Sequence, residues 1–442
     1  MAFERPLIAT ALAVALIALL VSGYTLATIT ERIEANRELL ERLEGKLGEV
    51  PSSSDVEELL GRIESLESRL SEVASLEDLA RIALELERIT TRVEELTGSI
   101  GTVNESLLSR IASIREELDR LEESIRFPVT VIDGTGEEVV IPSRPERIVT
   151  LVPSATEIIY FVGAADRIVG TDSFSDFPPE IKEKRERGEI VDVGGAYTQS
   201  PESVLAADPD IVFGSASIPL HRQIKEALKA QGIPVVLFPD SKLEDIVESL
   251  LIAGAATGNV VEAARAVVDF EALVSRIEQA ALDLDTVRVA LVVWVNPIFV
   301  AGGGTWQGDM IERVGGINVF ANATGWPQVS PEAFLEARPD LIIVTNSKSQ
   351  AVMGEELVNV LQSTLGEAVQ EIPAIANGLV FTVNGTYEDI LVRPSPRAAL
   401  GLALLLYIIH PEALGQDYGA VPRLVDESTL PEVPLPSKPS QE

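Results

Sequence analysis

Two stretches of this chain are close copies of each other: SPESVLAADPDIV, beginning at Ser200, and SPEAFLEARPDLI, beginning at Ser330. Aligned without a gap they share Ser, Pro, Glu, Leu, Ala, Pro and Asp. In each copy the serine suits a helix N-cap, and the proline suits the first helical position, where its missing N–H would be unpaired anyway. Glu202 and Glu332 follow, and an acid there complements the positive end of the helix dipole. Pro209-Asp210 and Pro339-Asp340 end the helix and lead into a strand. A helix-to-strand unit used twice implies two similar α/β lobes in one chain.

The surrounding sequence agrees. Short β-branched runs alternate with helical ones: RIVTLV (147–152), IVFG (211–214), VVLF (235–238), RVALVVWV (288–295), LIIVT (341–345) and LVFTV (379–383). Such alternation predicts parallel sheets covered by helices on both faces. A helical stretch over roughly 242–283, interrupted only near Gly258-Asn259, lies between the two sets. Two lobes on either side of a helical connector make a clamshell, with a ligand expected in the crevice.

Aromatic residues sit on the loops that would face that crevice. VGGAYTQ holds Tyr197, TDSFSDFPPE holds Phe174 and Phe177, NPIFVAGGGTW holds Phe299 and Trp306, and ATGWPQV holds Trp326. Each alone is most simply a core plug or a loop anchor. Together, nearly all at predicted strand ends, they suit a flat or bulky ligand. Gly302-Gly303-Gly304 lacks the GK[ST] that would make it a phosphate loop.

The N-terminal part differs in character. Leu7 to Ile29 carries no charged residue, and roughly 20 apolar residues suffice to cross a bilayer as a helix. This length favours an uncleaved anchor over a signal peptide, whose apolar region is about 7–15 residues. From Ile33 onward apolar residues recur at alternating three and four spacings, with Ser54-Asp-Val-Glu57 restarting the pattern as a capping box. The pattern predicts a helical stalk that self-associates as a coiled coil or folds back on itself. The expected organisation is an anchor (1–30), a coiled-coil stalk (31–126), a first α/β lobe (127–241), a helical connector (242–285), a second α/β lobe (286–412) and a disordered tail (413–442).

Composition removes several functions. A net charge of −34 argues against a nucleic-acid surface. With no cysteine there is no disulfide, thiolate metal site or catalytic Cys, and with only His221 and His410 no multi-imidazole metal site. No catalytic constellation stands out, so no catalytic residue, resident metal or cofactor is assigned and the chain reads as a binder.

The motifs RIVTLVPSATEIIYFVGAADRIVGTDSFSDFPPE, NPIFVAGGGTWQ, VGGINVF, WPQVSPE and RPSPRAALGLALL resemble those of the solute-binding proteins of ABC importers for cobalamin and iron chelates, most closely the cobalamin-binding proteins. The resemblance covers about residues 140–412. It implies two Rossmann-like lobes joined by one rigid helix at about 259–282, with a transported cobamide between them. It sets Phe174 against the corrin, keeps Trp326 before PQVS, and makes Asp389 a ligand contact. It further implies that Glu202 and Glu332 are the acids that dock onto basic pockets of a paired permease, which works with its ATPase. The expectation is a single-pass membrane protein, its binding domain outside the cell, delivering a cobamide. The alternative is an iron-siderophore or haem binder of the same class, which an inward-pointing Arg393 or Arg397 would favour. A receptor signalling through its stalk is a more distant reading.

Overall fold

β-Branched runs that are apolar at every position need cover on both faces, which parallel strands with crossover helices provide. The computed structural model describes residues 127–345 and 353–436, together with Leu84 and Arg88. The expected anchor, and the expected stalk apart from Leu84 and Arg88, lie outside the described residues. Among the described residues no helix is long and apolar enough to cross a membrane.

The elements run in chain order as β1 (Val129–Ile132), β2 (Glu138–Ile141), β3 (Ile148–Thr150), α1 (Pro153–Phe161), β4 (Ile168–Thr171), α2 (Pro179–Glu186), β5 (Val191–Asp192), α3 (Pro201–Leu205), β6 (Ile211–Ser215), α4 (Pro219–Lys229) and β7 (Val235–Phe238). Two helices follow, α5 (Glu244–Thr257) and α6 (Val260–Ala281). Then come β8 (Val287–Trp294), β9 (Phe299–Val300), α7 (Trp306–Arg313), β10 (Gly316–Asn318), α8 (Pro331–Ala337), β11 (Leu341–Val344), α9 (Met353–Leu365), α10 (Pro373–Ala376), β12 (Val380–Val383), α11 (Thr386–Val392), α12 (Ala398–Ile409) and β13 (Leu424–Val425).

Two parallel sheets result, one per lobe. The first has the order β5-β4-β3-β6-β7, the second β10-β8-β11-β12-β13 with β9 antiparallel on β8. In each sheet the lobe's first strand, β3 or β8, is interior and pairs on both sides: β3 with β4 and β6, β8 with β10 and β11. The winding direction reverses beside that strand, and in open α/β sheets ligands bind at the carboxyl ends of the strands next to such a point. β6, β7 and β11 are buried at every position. Val149, Leu151, Val212 and Leu237 anchor the first core, and Ala290, Val292, Ile342 and Phe334 the second. Among the described residues both sheets lie in one compact unit, which takes in Thr130–Val140, Pro145–Ile252 and the residues from Asp269 onward; Ala253–Val268 belongs to a second unit.

The expected disordered tail is corrected for residues 413–436. Its proline-rich composition reads as unstructured, yet β13 completes the second sheet, with Thr382 N–H donating to Arg423 O at 2.8 Å and Asn384 N–H to Val425 O at 3.0 Å. Tyr387 Oη donates to Leu430 O at 2.7 Å, and Val421, Val425, Leu430 and Val433 are buried. Apolar residues spaced among prolines anchor the segment without any helical or strand period to announce it.

The β1–β2 hairpin is fastened by a buried ion pair. Asp133 accepts from Lys225 Nζ at 2.7 Å, from the Leu237 N–H at 3.0 Å and from the Thr135 N–H at 3.0 Å. Burial pushes its pKa up, but the bonds from Lys225, Thr135 and Leu237 outweigh it and hold the carboxyl below its ordinary value. Lys225→Met strands this carboxylate and should cost about 3–5 kcal/mol in urea unfolding. Adding Asp133→Asn should restore part of that loss. An unchanged midpoint in the single variant would show the pair to be energetically idle.

Candidate functional site

Phe174 is held out toward solvent by its own loop. Asp172, buried just after β4, accepts from the Phe174 N–H at 2.8 Å and from the Ser175 hydroxyl. Burial raises its pKa against the pull of those bonds. Arg185 of α2 donates to the carbonyls of Asp172 at 3.0 Å and Ser175 at 2.5 Å, closing the loop from below. Beneath it, Thr150, Thr156 and Thr171 form a buried hydroxyl cluster that reaches Ser175 through Thr156 at 2.7 Å. The backbone is thus fixed while Phe174 as a whole remains 50% exposed.

The neighbouring loop carries Tyr197, 77% exposed. It meets Phe174 at Gly195, where an added Cβ would stand 3.1 Å from the phenyl ring. Gln199 secures the loop's far end, donating to Leu151 O at 2.8 Å and Gly194 O at 3.2 Å. His221 lies wholly buried on α4, on the same face as Ile224, Lys225 and Leu228. Its Nδ1 accepts from the Ser215 N–H at 3.0 Å, so the neutral ring carries its proton on Nε2.

In the second lobe Trp326 is 37% exposed and rests edge-on against Trp306, ring centres 5.1 Å apart. Trp306 is itself buried at the start of α7, its indole N–H donating to Leu391 O at 3.1 Å. The glycine run explains how the Trp326 loop is carried. Gly302 N–H donates to Gly325 O at 2.8 Å, Gly303 N–H to Ala323 O at 2.7 Å, and Gly325 N–H back to Gly303 O at 2.8 Å. A Cβ on Gly302 would fall 2.0 Å from Ala323 O, and one on Gly303 2.2 Å from Ala321 O. Only glycine permits that approach. Phe299 is half-buried on β9, bridged to Gln328 two residues beyond Trp326.

A cluster of charges joins the two lobes beside Phe174. Arg393, which caps α11, donates Nη1 to Glu157 at 3.0 Å and to Asp176 at 2.6 Å, and its Nη2 lies 2.7 Å from Asp389 and 3.4 Å from Phe174 O. Arg397 Nη1 reaches Glu157 at 3.1 Å, and its guanidinium stacks 4.2 Å over the Phe177 ring. Ser395 Oγ donates to the second Glu157 oxygen at 2.5 Å. Burial would lower the Arg393 pKa, but the Asp176 bond and the charges of Asp389 and Glu157 push it up instead, so the group stays charged. Asp389, expected to touch a ligand, is thus engaged by Arg393. Glu157, Asp176 and Ser395 lie inside the quoted motifs but were not singled out there, because nothing in the sequence shows that the stretch at 147–180 meets RPSPRAAL.

The segment from Leu391 to Arg393 therefore touches both walls: Trp306 on one side, the Phe174 carbonyl on the other. Glu202 and Glu332 stand apart from this constellation, exposed in the first turns of α3 and α8. Each helix is capped as expected, Ser200 Oγ accepting from Ser203 N–H at 3.1 Å and Ser330 Oγ from Ala333 N–H at 3.3 Å. Backbone amide and serine bonds hold both acids below their ordinary pKa. Among the described residues no group of three or more His, Asp or Glu could hold a metal ion.

The profile of the periplasmic binding protein family matches residues 148–387, more than half of the chain. The chain belongs to this family. It is a family of solute binders rather than enzymes. An uncharacterized ABC transporter substrate-binding lipoprotein of Bacillus subtilis is 28% identical over 293 residues, covering 65% of this chain and 87% of its own. A cobalamin-binding protein of Halobacterium salinarum is 27% identical over the same length, covering 65% and 76%. Among solved structures, the periplasmic vitamin B12 binding protein of Vibrio cholerae shares the fold with a TM-score of 0.53 at 24% identity, covering 62% of this chain and 100% of its own. A periplasmic haem-binding protein of Roseiflexus has a TM-score of 0.52 at 25% identity, covering 61% and 99%.

His221 gives this periplasmic binding protein a defined pH response. Burial lowers the imidazole pKa from 6.5 to about 4. The unfolded chain binds the proton near 6.5, so between those values the unfolded state holds more protons and stability rises with pH. The contribution is present above about 6.5 and is lost as pH falls toward about 4, by at most about 3 kcal/mol. Asp172 and Asp240, both raised by burial, act with the opposite sign and are common to wild type and variant. His221→Gln should therefore flatten unfolding stability between pH 6.5 and 4 relative to wild type. Parallel curves would place His221 outside this linkage.

Proposed function

We propose that this chain is the solute receptor of an ABC importer and that it presents a cobamide to a permease and its ATPase. The reading rests on one observation above others: the arginines at the aromatic wall are already met by carboxylates. Arg393 and Arg397 point inward, which taken alone favours an anionic ferric siderophore or the propionates of haem. Yet Glu157, Asp176 and Asp389 occupy those guanidiniums. An incoming anion would have to displace one of them, and breaking a buried pair costs roughly 3–5 kcal/mol. A cobamide offers a broad corrin face for aromatic contact and a rim of neutral carboxamides, which need no free cation. The cobalamin-binding relative supports the same choice.

In this reading Phe174, Tyr197 and Phe299 line the cleft with Trp326, and Trp306 acts as the rigid support behind it. Asp389 orients Arg393 and borders the ligand. Lobes at 127–241 and 286–412 are linked by the helical stretch at 242–285. The lipoprotein relative supports a receptor held at the outer face of the membrane, with Leu7–Ile29 proposed as the single-pass anchor and residues 31–126 as a self-associating stalk. Haem or a ferric siderophore is the second reading, favoured by the haem-binding structural neighbour.

Calorimetric titration of the purified protein with cyanocobalamin, haemin and a ferric hydroxamate decides between them. Cyanocobalamin should bind and the other two should not; tight haemin or siderophore binding without corrinoid binding overturns the assignment. Trp326→Ala should lower cobamide affinity by about 5- to 150-fold, or roughly 1–3 kcal/mol. Unchanged affinity with a lower melting temperature would make Trp326 a structural residue.

Glu202 and Glu332 are proposed as the permease-docking acids. Charge reversal at both, Glu202→Arg with Glu332→Arg, should nearly abolish uptake in a reconstituted importer while leaving ligand affinity intact. Normal uptake by that double variant would return both acids to the role of helix caps.

A further inference from the structure

Each lobe holds its short acid-bearing helix with an arginine that lies outside the repeated stretch. In the first lobe Arg147, immediately before β3, donates Nε to Asp208 O at 2.6 Å and Nη2 to Ala207 O at 2.7 Å. In the second, Arg288 at the start of β8 donates Nε to Arg338 O at 3.3 Å and Nη2 to Ala337 O at 2.6 Å. Ala207 and Ala337 occupy the same place in the two copies, as do Asp208 and Arg338. The latter pair also share a left-handed backbone, φ 51° and 45°.

The bonds return in the other direction too. Asp210 Oδ2 accepts from the backbone N–H of Arg147 at 3.0 Å, and Asp340 Oδ2 from that of Arg288 at 3.3 Å. Asp210 N–H donates to Arg147 O and Asp340 N–H to Arg288 O, both at 2.8 Å. The arginine and the Pro-Asp aspartate thus form a reciprocal clasp, built from the same atoms in both lobes.

A clasp of this kind does more than end a helix. α3 has five residues and α8 seven, too few for either to hold its own ends in place. Each is pinned at one end by its serine cap, in the middle by buried Val204 or Phe334, and at the other end by the guanidinium fork. The fork fixes that last turn to the first strand of the sheet. The same strand's opposite end leads into the ligand loops, where Leu151 O receives Gln199. Without the fork, rotation of the short helix would move its exposed acid; with it, the acid is placed relative to the whole sheet.

We propose that Arg147 and Arg288 are positioning residues for permease docking, holding Glu202 and Glu332 at the separation that two permease halves require. The inference rests on the docking reading above and adds the residues that set its geometry. Lysine at either site keeps the charge and the stem but not the two-pronged fork.

The test measures association of the full chain with its permease–ATPase complex in nanodiscs, without ligand, alongside thermal unfolding. Variants are the doubles Arg147→Lys with Arg288→Lys and Glu202→Gln with Glu332→Gln, together with the single Arg147→Met and Arg288→Met changes. The lysine double should fold and raise the dissociation constant by about tenfold or more, and the glutamine double should do the same. Should a methionine variant fail to fold, the lysine double carries the test alone. An unchanged constant in the arginine variants, with the glutamine double weakened, overturns the positioning role and spares the docking acids. No weakening in the glutamine double overturns docking and this inference with it. Loss of binding only in proportion to the unfolded fraction would mark the clasp as purely structural and overturn the proposal.

Discussion

A guanidinium withdrawn from water must find acceptors all round it, and Arg393 finds Glu157 and Asp176 in one lobe and Asp389 in its own. That requirement acts on both halves of the molecule at once. Glu157 is buried on α1, Asp176 sits two residues beyond Phe174, and Arg397 shares Glu157 while lying over Phe177. Because charges this deep tolerate little misplacement, the cluster determines where the first lobe's aromatic loop stands relative to the second. The Trp306 and Trp326 pair takes its bearing from Leu391, two residues earlier on the same segment. One short stretch of chain therefore references both walls of the proposed cleft.

The alternation of β-branched and helical runs was enough to read the two parallel sheets, because strands covered on both faces are apolar without interruption. β6, β7, β8, β11 and β12 all fall within the runs identified in the sequence or a residue beyond them. The four-residue strands β1, β2 and β4 lay outside those runs, and the shorter β5, β9, β10 and β13 escaped as well. Two or three residues give too little pattern to register, and their existence depends on the sheet edge already being there. The tail from 413 to 436 was misread for the same reason: its few buried side chains act only against a surface formed by distant parts of the chain.

At the site, legibility divided along chemical lines. Aromatic residues on glycine-bearing loops could be singled out because polar loops rarely carry them without cause. Which face each one showed could not. Trp306 and Trp326 look alike in sequence, yet one is buried and hydrogen-bonded while the other is partly open. The charged residues were harder still. Asp389 and Arg393 are four apart on a helix, a spacing that suggests an ion pair as readily as a ligand contact. Glu157 and Asp176 meet them from more than two hundred residues away, a relation that no local pattern encodes.

The glycine run at 302–304 separates two properties that usually change together. The loop bearing Trp326 is attached to Gly302 and Gly303 entirely through main-chain bonds, with no side chain interposed. That anchorage is consequently independent of the side chain at position 326, which adds only its edge-on contact with Trp306. A lineage could exchange that indole for a smaller, larger or polar group and leave the surrounding backbone where it was, whereas any side chain at 302 or 303 would break the loop regardless of ligand. Under the proposed role of Trp326, ligand preference could drift by single substitutions at the tip, while the glycines hold the frame that makes such drift survivable.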